Sequence, residues 1–256
     1  MQERYDKVKK LFNLGFVLAR AGYKLKTEGS YLGIFWYLLD PIFTFLLLWG
    51  IFADRLGRGI DDYPLYLFLG IIAFSFFSRV TIESMKLIVD NRWIVRSIKF
   101  PYESLVLASI LKNLFSLFFE TVLLIILALL LRQSVAGFIF FPVILFFFCF
   151  FTYGVSLFLA TLYVYFCDLD NIWAYFSRLL WFATPIFYQI GGQNKLLILN
   201  SFNPLYLFIS IFREIVIYSR MPSASLTMAA LAFTILSFTA GTAAFTKLKC
   251  RFPEKI

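Results

Sequence analysis

Apolar residues in this chain come in long unbroken runs rather than in the short periodic stretches of a soluble helix or strand. A helix needs about 20 apolar residues to cross the hydrocarbon core of a bilayer. Six runs approach or exceed that length: Gly33 to Ala53, Tyr63 to about Ser84, Tyr102 to about Leu131, Phe138 to Phe166, Ile172 to about Ile190 and Leu226 to Phe245. The first contains Asp40-Pro41 and the fifth contains Pro185. Near the far end of the second, Arg79 and Glu83 stand four apart on one helical face, where pairing and snorkelling cost little. One more apolar stretch, Leu205 to Tyr218, has 14 residues and contains Arg213 and Glu214. It is too short and too polar to span, and reads as re-entrant or interfacial.

The polar positions orient these runs. Arg4, Lys7, Lys9, Lys10, Arg20, Lys24 and Lys26 precede the first run. Lys86, Arg92, Arg96 and Lys99 lie between the second and third, and Lys247, Lys249, Arg251 and Lys255 close the chain. Basic loops stay in the cytoplasm, and all three groups share one side only if the number of spans is even. The expectation is an all-α polytopic membrane protein with six transmembrane helices and both termini cytoplasmic. Residues 1–256 read as one transmembrane domain, with no internal repeat.

Three pieces lie outside the spans. Within residues 1–30, Val8, Leu11, Phe12, Leu14 and Leu18 recur at helical spacing opposite Lys7, Lys10 and Arg20, as in an amphipathic helix along the cytoplasmic interface. This start lacks the cleavage site of a signal peptide. In residues 85–101, Ile88, Val89, Ile94, Val95 and Ile98 are interleaved with Asp90, Asn91, Arg92, Arg96 and Lys99. That pattern predicts a short amphipathic helix ending before Pro101. It suits either a helix resting on lipid or a docking element for a cytoplasmic partner. In residues 191–222, Gly191-Gly192, Asn203-Pro204 and Met221-Pro222 punctuate two short helices, read either as a lid over a pathway or as a loop against the outer surface.

Composition narrows the class. The chain has 256 residues, 61% apolar and 15% charged, with 34 Phe and a mean hydropathy of +0.82. A soluble globule of this size could not hide that much apolar surface, which excludes a soluble enzyme and a disordered chain. The net charge of +9 sits at the ends of apolar runs, so it points to membrane topology rather than to nucleic acid. Cys149, Cys167 and Cys250 share no metal-ligand or disulfide spacing.

Little in the chain carries bond-making chemistry. There is no His and no phosphate-cradling glycine loop, so no catalytic residue, metal ligand or bound cofactor is assigned. Asp168-Leu169-Asp170 lacks a third ligand for an ion, and Asp170 reads as the N-cap of the fifth span. Ionisable residues within spans are functional suspects, here Asp40, Lys112, Glu120 and Arg178. Lys112 and Glu120 suit interhelical neutralisation. Arg178 lies among Trp173, Tyr175, Trp181 and Tyr188, a surface that suits sugar hydroxyls and phosphates or else a salt bridge within an aromatic belt. Trp36 and Tyr37 flank the entry of the first span.

Four stretches together resemble a known family. They are Lys26 to Gly57, with Ser30, Leu32, Gly33, Trp36 and Pro41; the loop with Asn91, Lys99, Phe100 and Pro101; the stretch with Asp168, Arg178, Pro185 and Tyr188; and the stretch with Asn203, Pro204, Arg213 and Glu214. In this order they resemble the permease subunits of type-2 ABC exporters for polysaccharides. The chain departs from the usual pattern at Cys167 and Val106. The resemblance implies a homodimer in the bacterial cytoplasmic (inner) membrane, carrying a lipid-linked glycan between its two copies. Two copies of a separate cytoplasmic ATPase would hold the ATP and Mg. They would dock through Arg20, Lys24, Asn91, Arg92, Arg96, Lys99, Phe100 and Pro101. Trp36, Tyr37, Trp173, Tyr175, Arg178, Trp181 and Tyr188 would line the pathway, and Asn203, Pro204, Arg213 and Glu214 would gate its exit. The rival readings are an exporter of drugs or small lipids and a polytopic lipid glycosyl- or acyltransferase.

Overall fold

The computed structural model describes residues 2–27, 35–97, 100–190 and 194–255, with side chains except at 2–8, 10, 23–27, 35–38 and 194. These residues are helical, with no strand among them. In chain order the helices are α1 (Gln2–Thr27), α2 (Phe35–Phe52), α3 (Tyr63–Asp90), α4 (Arg92–Ser97), α5 (Glu103–Leu130), α6 (Phe141–Tyr165, entered by a 3-10 turn at Ala136–Phe140), α7 (Leu169–Ala183), α8 (Asn194–Ser201), α9 (Pro204–Val216), α10 (Ala224–Leu248) and, after a turn at Lys249–Arg251, α11 (Phe252–Lys255).

The six-span expectation is met only in part. Among the described residues four helices are long and apolar enough to cross a bilayer: α3, α5, α6 and the α10 helix with its tail. A fifth is reached if α8 and α9, bent by 94° at their junction, count as one broken span. In the first run α2 spans Phe35–Phe52, and the part whose side chains are described, Leu39–Phe52, is apolar. The fifth run stops early: α7 has 15 residues, about 22 Å at 1.5 Å per residue, short of a core about 30 Å thick. The cause is Pro185, which forces Thr184 into extended backbone (φ −82°, ψ 130°). Hydropathy continued across that break because the residues beyond it are apolar too.

α3 is the central helix, with 78% of its apolar window buried against 33%, 50% and 22% for the spans of α5, α6 and α10. α5 and α6 pack on one side of it and α10 packs on α6, while α2 and α7 flank it. Its core residues include Leu67, Ile71, Phe76 and Val80, all fully buried. α6 and α10 meet backbone to backbone. A Cβ on Gly241 would collide with the Gly154 carbonyl, and one on Gly154 with the Ser237–Phe238 peptide. Small residues permit such close crossings where lipid supplies no hydrophobic drive between helices. Buried hydroxyls of Thr81, Thr152 and Thr161 donate to carbonyls of their own helices at 2.9, 2.8 and 2.7 Å, so they leave no bare donor in an apolar core.

The charges inside the bundle pair between helices. Arg79 meets Glu120 of α5 at 2.6 Å and Glu83 meets Lys112 of α5 at 2.7 Å. The expected proximity of Arg79 and Glu83 on one face holds, but each takes its partner from α5, whose antiparallel course presents opposite charges in reverse order. Lys112 and Glu120 thus neutralise a neighbouring helix, as their positions suggested. Asp170 is not the N-cap of α7: Asp168 holds that position, and Asp170 in the first turn pairs with Lys86 at 2.7 Å. No group of three metal-ligating side chains occurs among the described residues.

α1 packs along α5, with Gly15 against Leu107 and with Ala19 buried, while Phe12, Phe16 and Val17 stay exposed.

Candidate functional site

The break after α7 is built into a cradle. Four consecutive carbonyls, from Pro185 to Tyr188, leave helical geometry and receive side-chain donors. The Arg213 guanidinium donates from Nη1 to Pro185 O at 2.8 Å and from Nη2 to Ile186 O at 2.9 Å. Tyr63 donates to Phe187 O at 3.0 Å, and Tyr66 to Tyr188 O at 2.8 Å. Arg213 also reaches Tyr66 O at 3.1 Å and lies 3.3 Å from the centre of the Tyr66 ring. A buried cation needs compensation; carbonyl dipoles and the ring quadrupole supply it here. Gly70 makes room, since a Cβ there would stand 2.8 Å from Arg213 Nη2.

α9 enters this arrangement through a well-formed start. Asn203 accepts from Leu205 N at 3.1 Å and donates to Thr184 Oγ1 at 2.8 Å, and Pro204 takes the first helical turn. Arg213 is 4% exposed and ties α9 to α3 and to the end of α7. Glu214 is half-buried.

α7 has two faces. Trp173, Ser177 and Trp181, four apart, turn toward α3. The Trp173 indole donates to Thr81 Oγ1 at 3.2 Å, and Trp181 meets Phe74 edge-on at 4.9 Å. Tyr175 is 65% exposed and Arg178 is exposed on the other side, beside Ile172, Leu179 and Phe182. The Tyr188 hydroxyl donates to Phe182 O and Ala183 O at 3.0 and 3.1 Å, closing the end of α7. The seven aromatic and basic residues expected along one pathway therefore divide. Tyr175 and Arg178 share an open face, Trp173, Trp181 and Tyr188 make contacts within the fold, and the side chains of Trp36 and Tyr37 lie outside the described set.

At the basic end, α3 runs on to Asp90, so the connection expected over 85–101 is shorter than its sequence suggested. Asn91 is the C-cap of α3 and donates to Leu87 O at 2.8 Å. In α4, Arg92 and Arg96 are exposed and Val95 is buried. Phe100 stacks edge-on to Tyr102 at 5.1 Å, and Pro101 O accepts from the Ser104 amide at 2.9 Å at the start of α5. Arg20 is exposed on α1; Lys99 and the side chain of Lys24 lie outside the described set.

Residues 14–217 match the ABC-2 type transporter family. The chain belongs to that family. It is 25% identical over 237 residues to the O-antigen export system permease protein RfbA of Myxococcus xanthus, covering 91% of each chain. It is 26% identical over 249 residues to the protein of the same name from Klebsiella pneumoniae, covering 95% of each. In this ABC-2 transporter chain the residues that sequence reading passed over are Tyr63, Tyr66 and Gly70. A glycine inside an otherwise bulky apolar run, with two tyrosines one and two turns before it, was the available signal for a close approach.

Proposed function

We propose that the chain is the permease subunit of an ATP-driven exporter that moves a lipid-linked polysaccharide, of the O-antigen kind, out across the cytoplasmic membrane. The end-to-end likeness to two chains named for O-antigen export carries this reading. The distribution of exposed charge supports it. Asp40 on α2 and Arg178 on α7 are exposed, whereas the outer faces of α5, α6 and α10 present Phe118, Ile126, Phe146 and Ile235. A charge facing lipid is costly; one facing a wet conduit is not.

In this reading two copies pair through their α2 and α7 sides, and the conduit runs between them. The basic end is cytoplasmic. ATP and Mg bind on two separate ATPase subunits, whose closure pushes on α4 and, through α3, tilts α7. The glycan slides past Tyr175 and Arg178. Contacts of about 1 kcal/mol each hold a sugar without trapping it. The Arg213 cradle keeps the short α7 and the α8–α9 pair moving as one body.

Reconstitution with the cognate ATPase in proteoliposomes tests the proposal. Lipid-linked glycan should appear on the far face on adding ATP, and Arg178→Ala should lower its rate about fivefold, the effect of about 1 kcal/mol. Movement of small drugs or free lipids with no glycan transfer would overturn it.

A further inference from the structure

α4 has six residues, too few to hold a helix unaided. Its start is tied to α3 by the Ile94 and Val95 amides, which donate to Asn91 O at 3.0 Å each. Beyond the α3 and α5 residues around Val95, it is also supported from the opposite end of the chain. After α10 the chain turns at Lys249, whose ammonium meets Glu103 at the start of α5 at 2.6 Å. Phe252 then inserts into a second apolar core with Ile88, Val95, Leu105, Val106 and Phe245. It is fully buried, edge-on to Phe245 at 5.3 Å and 6.3 Å from the Tyr102 ring. Tyr102 in turn donates to Val95 O at 3.3 Å. Val95 is the one residue of α4 that is buried, and α11 packs directly on α4. A basic tail that served only to orient the last span would need none of this.

The exposed side chains of the same assembly are mostly cationic, with Asp90 beside them at the end of α3 and one aromatic knob. Trp93 is 73% exposed, and Arg92, Arg96, Arg251 and Lys255 are exposed with it, against a single exposed acid in the tail, Glu254. We infer that the C-terminal tail, residues 249–255, clamps α4 in position and joins it to form one composite docking face for an acidic surface of the ATPase, with Trp93 as the inserted anchor. This rests on the permease reading above and adds to it the tail and Trp93. Tryptophan and arginine are the residue types that dominate docking energies, and complementary charge sets the partner and its register. A tail that is part of the interface also reports on it, because Phe252 connects the docking face to α10 through Phe245.

The test uses the full permease with its cognate ATPase, in a Cys149→Ala, Cys167→Ser background that leaves Cys250, exposed in the tail. With wild-type tail and ATPase bound, labelling of Cys250 by a membrane-impermeant maleimide should slow roughly tenfold. The surface pair Arg251→Glu, Lys255→Glu should lower ATPase co-purification roughly tenfold, equivalent to about 1.4 kcal/mol, without changing thermal stability. Lys249→Glu should lower it likewise, and Glu103→Lys added to it should restore docking. Phe252→Ala should speed Cys250 labelling in the absence of ATPase, while Phe252→Leu should not. If the ATPase co-purifies with the wild type but leaves Cys250 labelling and the Arg251→Glu, Lys255→Glu variant unaffected, the clamp is overturned and the permease reading stands. If no ATPase binds the wild type, the permease reading falls and takes the clamp with it.

Discussion

Arg213 satisfies three backbone carbonyls and a tyrosine face from inside the protein. Its place in a short apolar helix beyond the fifth run, within a stretch that resembles the exporter family, suggested a gate, or latch, at the exit. What the sequence could not display is the partner. Backbone carbonyls carry no residue identity, so a cation bound by them has no visible counter-charge. The neighbours do leave a trace, since Gly70 lacks a Cβ just where the guanidinium passes α3. Two substitutions separate anchor from latch. Arg213→Lys keeps the charge but loses the planar fork that reaches Pro185 and Ile186 together, and should destabilise the detergent-solubilised protein by about 2 kcal/mol. Gly70→Ala should cost about 1–3 kcal/mol by overpacking, because the atom it strikes is itself pinned by two hydrogen bonds. Thermal unfolding measures both, and midpoints equal to wild type would remove Arg213 as an anchor. The ionic partners inside the bundle were more legible. Arg79 and Glu83 on α3, against Lys112 and Glu120 on α5, read as complementary once the helices are set antiparallel, and only the choice between partners within and between helices needed the structure.

At the scale of elements, hydropathy located α3, α5, α6 and α10 to within a turn or two, because each is a continuous apolar helix with polar residues at its ends. It mistook α7 for a full span for a physical reason: an average over side chains is blind to where the backbone breaks. Pro185 was visible in the fifth run, but whether a proline kinks a helix or ends it depends on what satisfies the carbonyls beyond it. Here Arg213, Tyr63 and Tyr66 do so. The pairing of α6 with α10 was less visible: Ser237 and Gly241 stand four apart as a small-residue pair, but nothing in the sequence says that Gly154, far away in the chain, is what packs on them. Their contact makes a sharp forecast. Gly154→Ala must push the α10 backbone away and should lower stability by about 1–3 kcal/mol. Gly50→Ala in α2 meets nothing within 4 Å and should be neutral or stabilising by up to about 1 kcal/mol. Equal unfolding temperatures for the two variants would mean that the α6–α10 crossing is looser than described.

On the whole molecule, two kinds of outer surface can be told apart. The side formed by α5, α6 and α10 is apolar and suits lipid tails. The exposed faces of α2 and α7, the two helices that flank α3, mix apolar residues (Phe43, Leu47, Leu179, Phe182) with the exposed charges of Asp40 and Arg178. A surface of that mixed kind is stable in a membrane if it faces another protein surface and water, and closed two-fold pairing is the commonest way to supply one. Two-fold symmetry brings residues near the axis opposite their own copies, which gives a direct test. In a variant with Cys149, Cys167 and Cys250 replaced, cysteine introduced at Tyr175 or Leu179 should yield a cross-linked dimer with short bifunctional maleimides in native membranes. Cysteine at Ile235 on α10, 64% exposed, should not, although it labels as readily in detergent. The reverse pattern would put the pairing face on α10, leave Asp40 and Arg178 facing lipid, and remove the physical reason for a conduit beside α7. The charges make that outcome expensive. Turning Arg178 to hydrocarbon would cost about 2.5 kcal/mol per copy at mid-bilayer depth on the most lenient insertion scale, with no partner among the described residues to offset it.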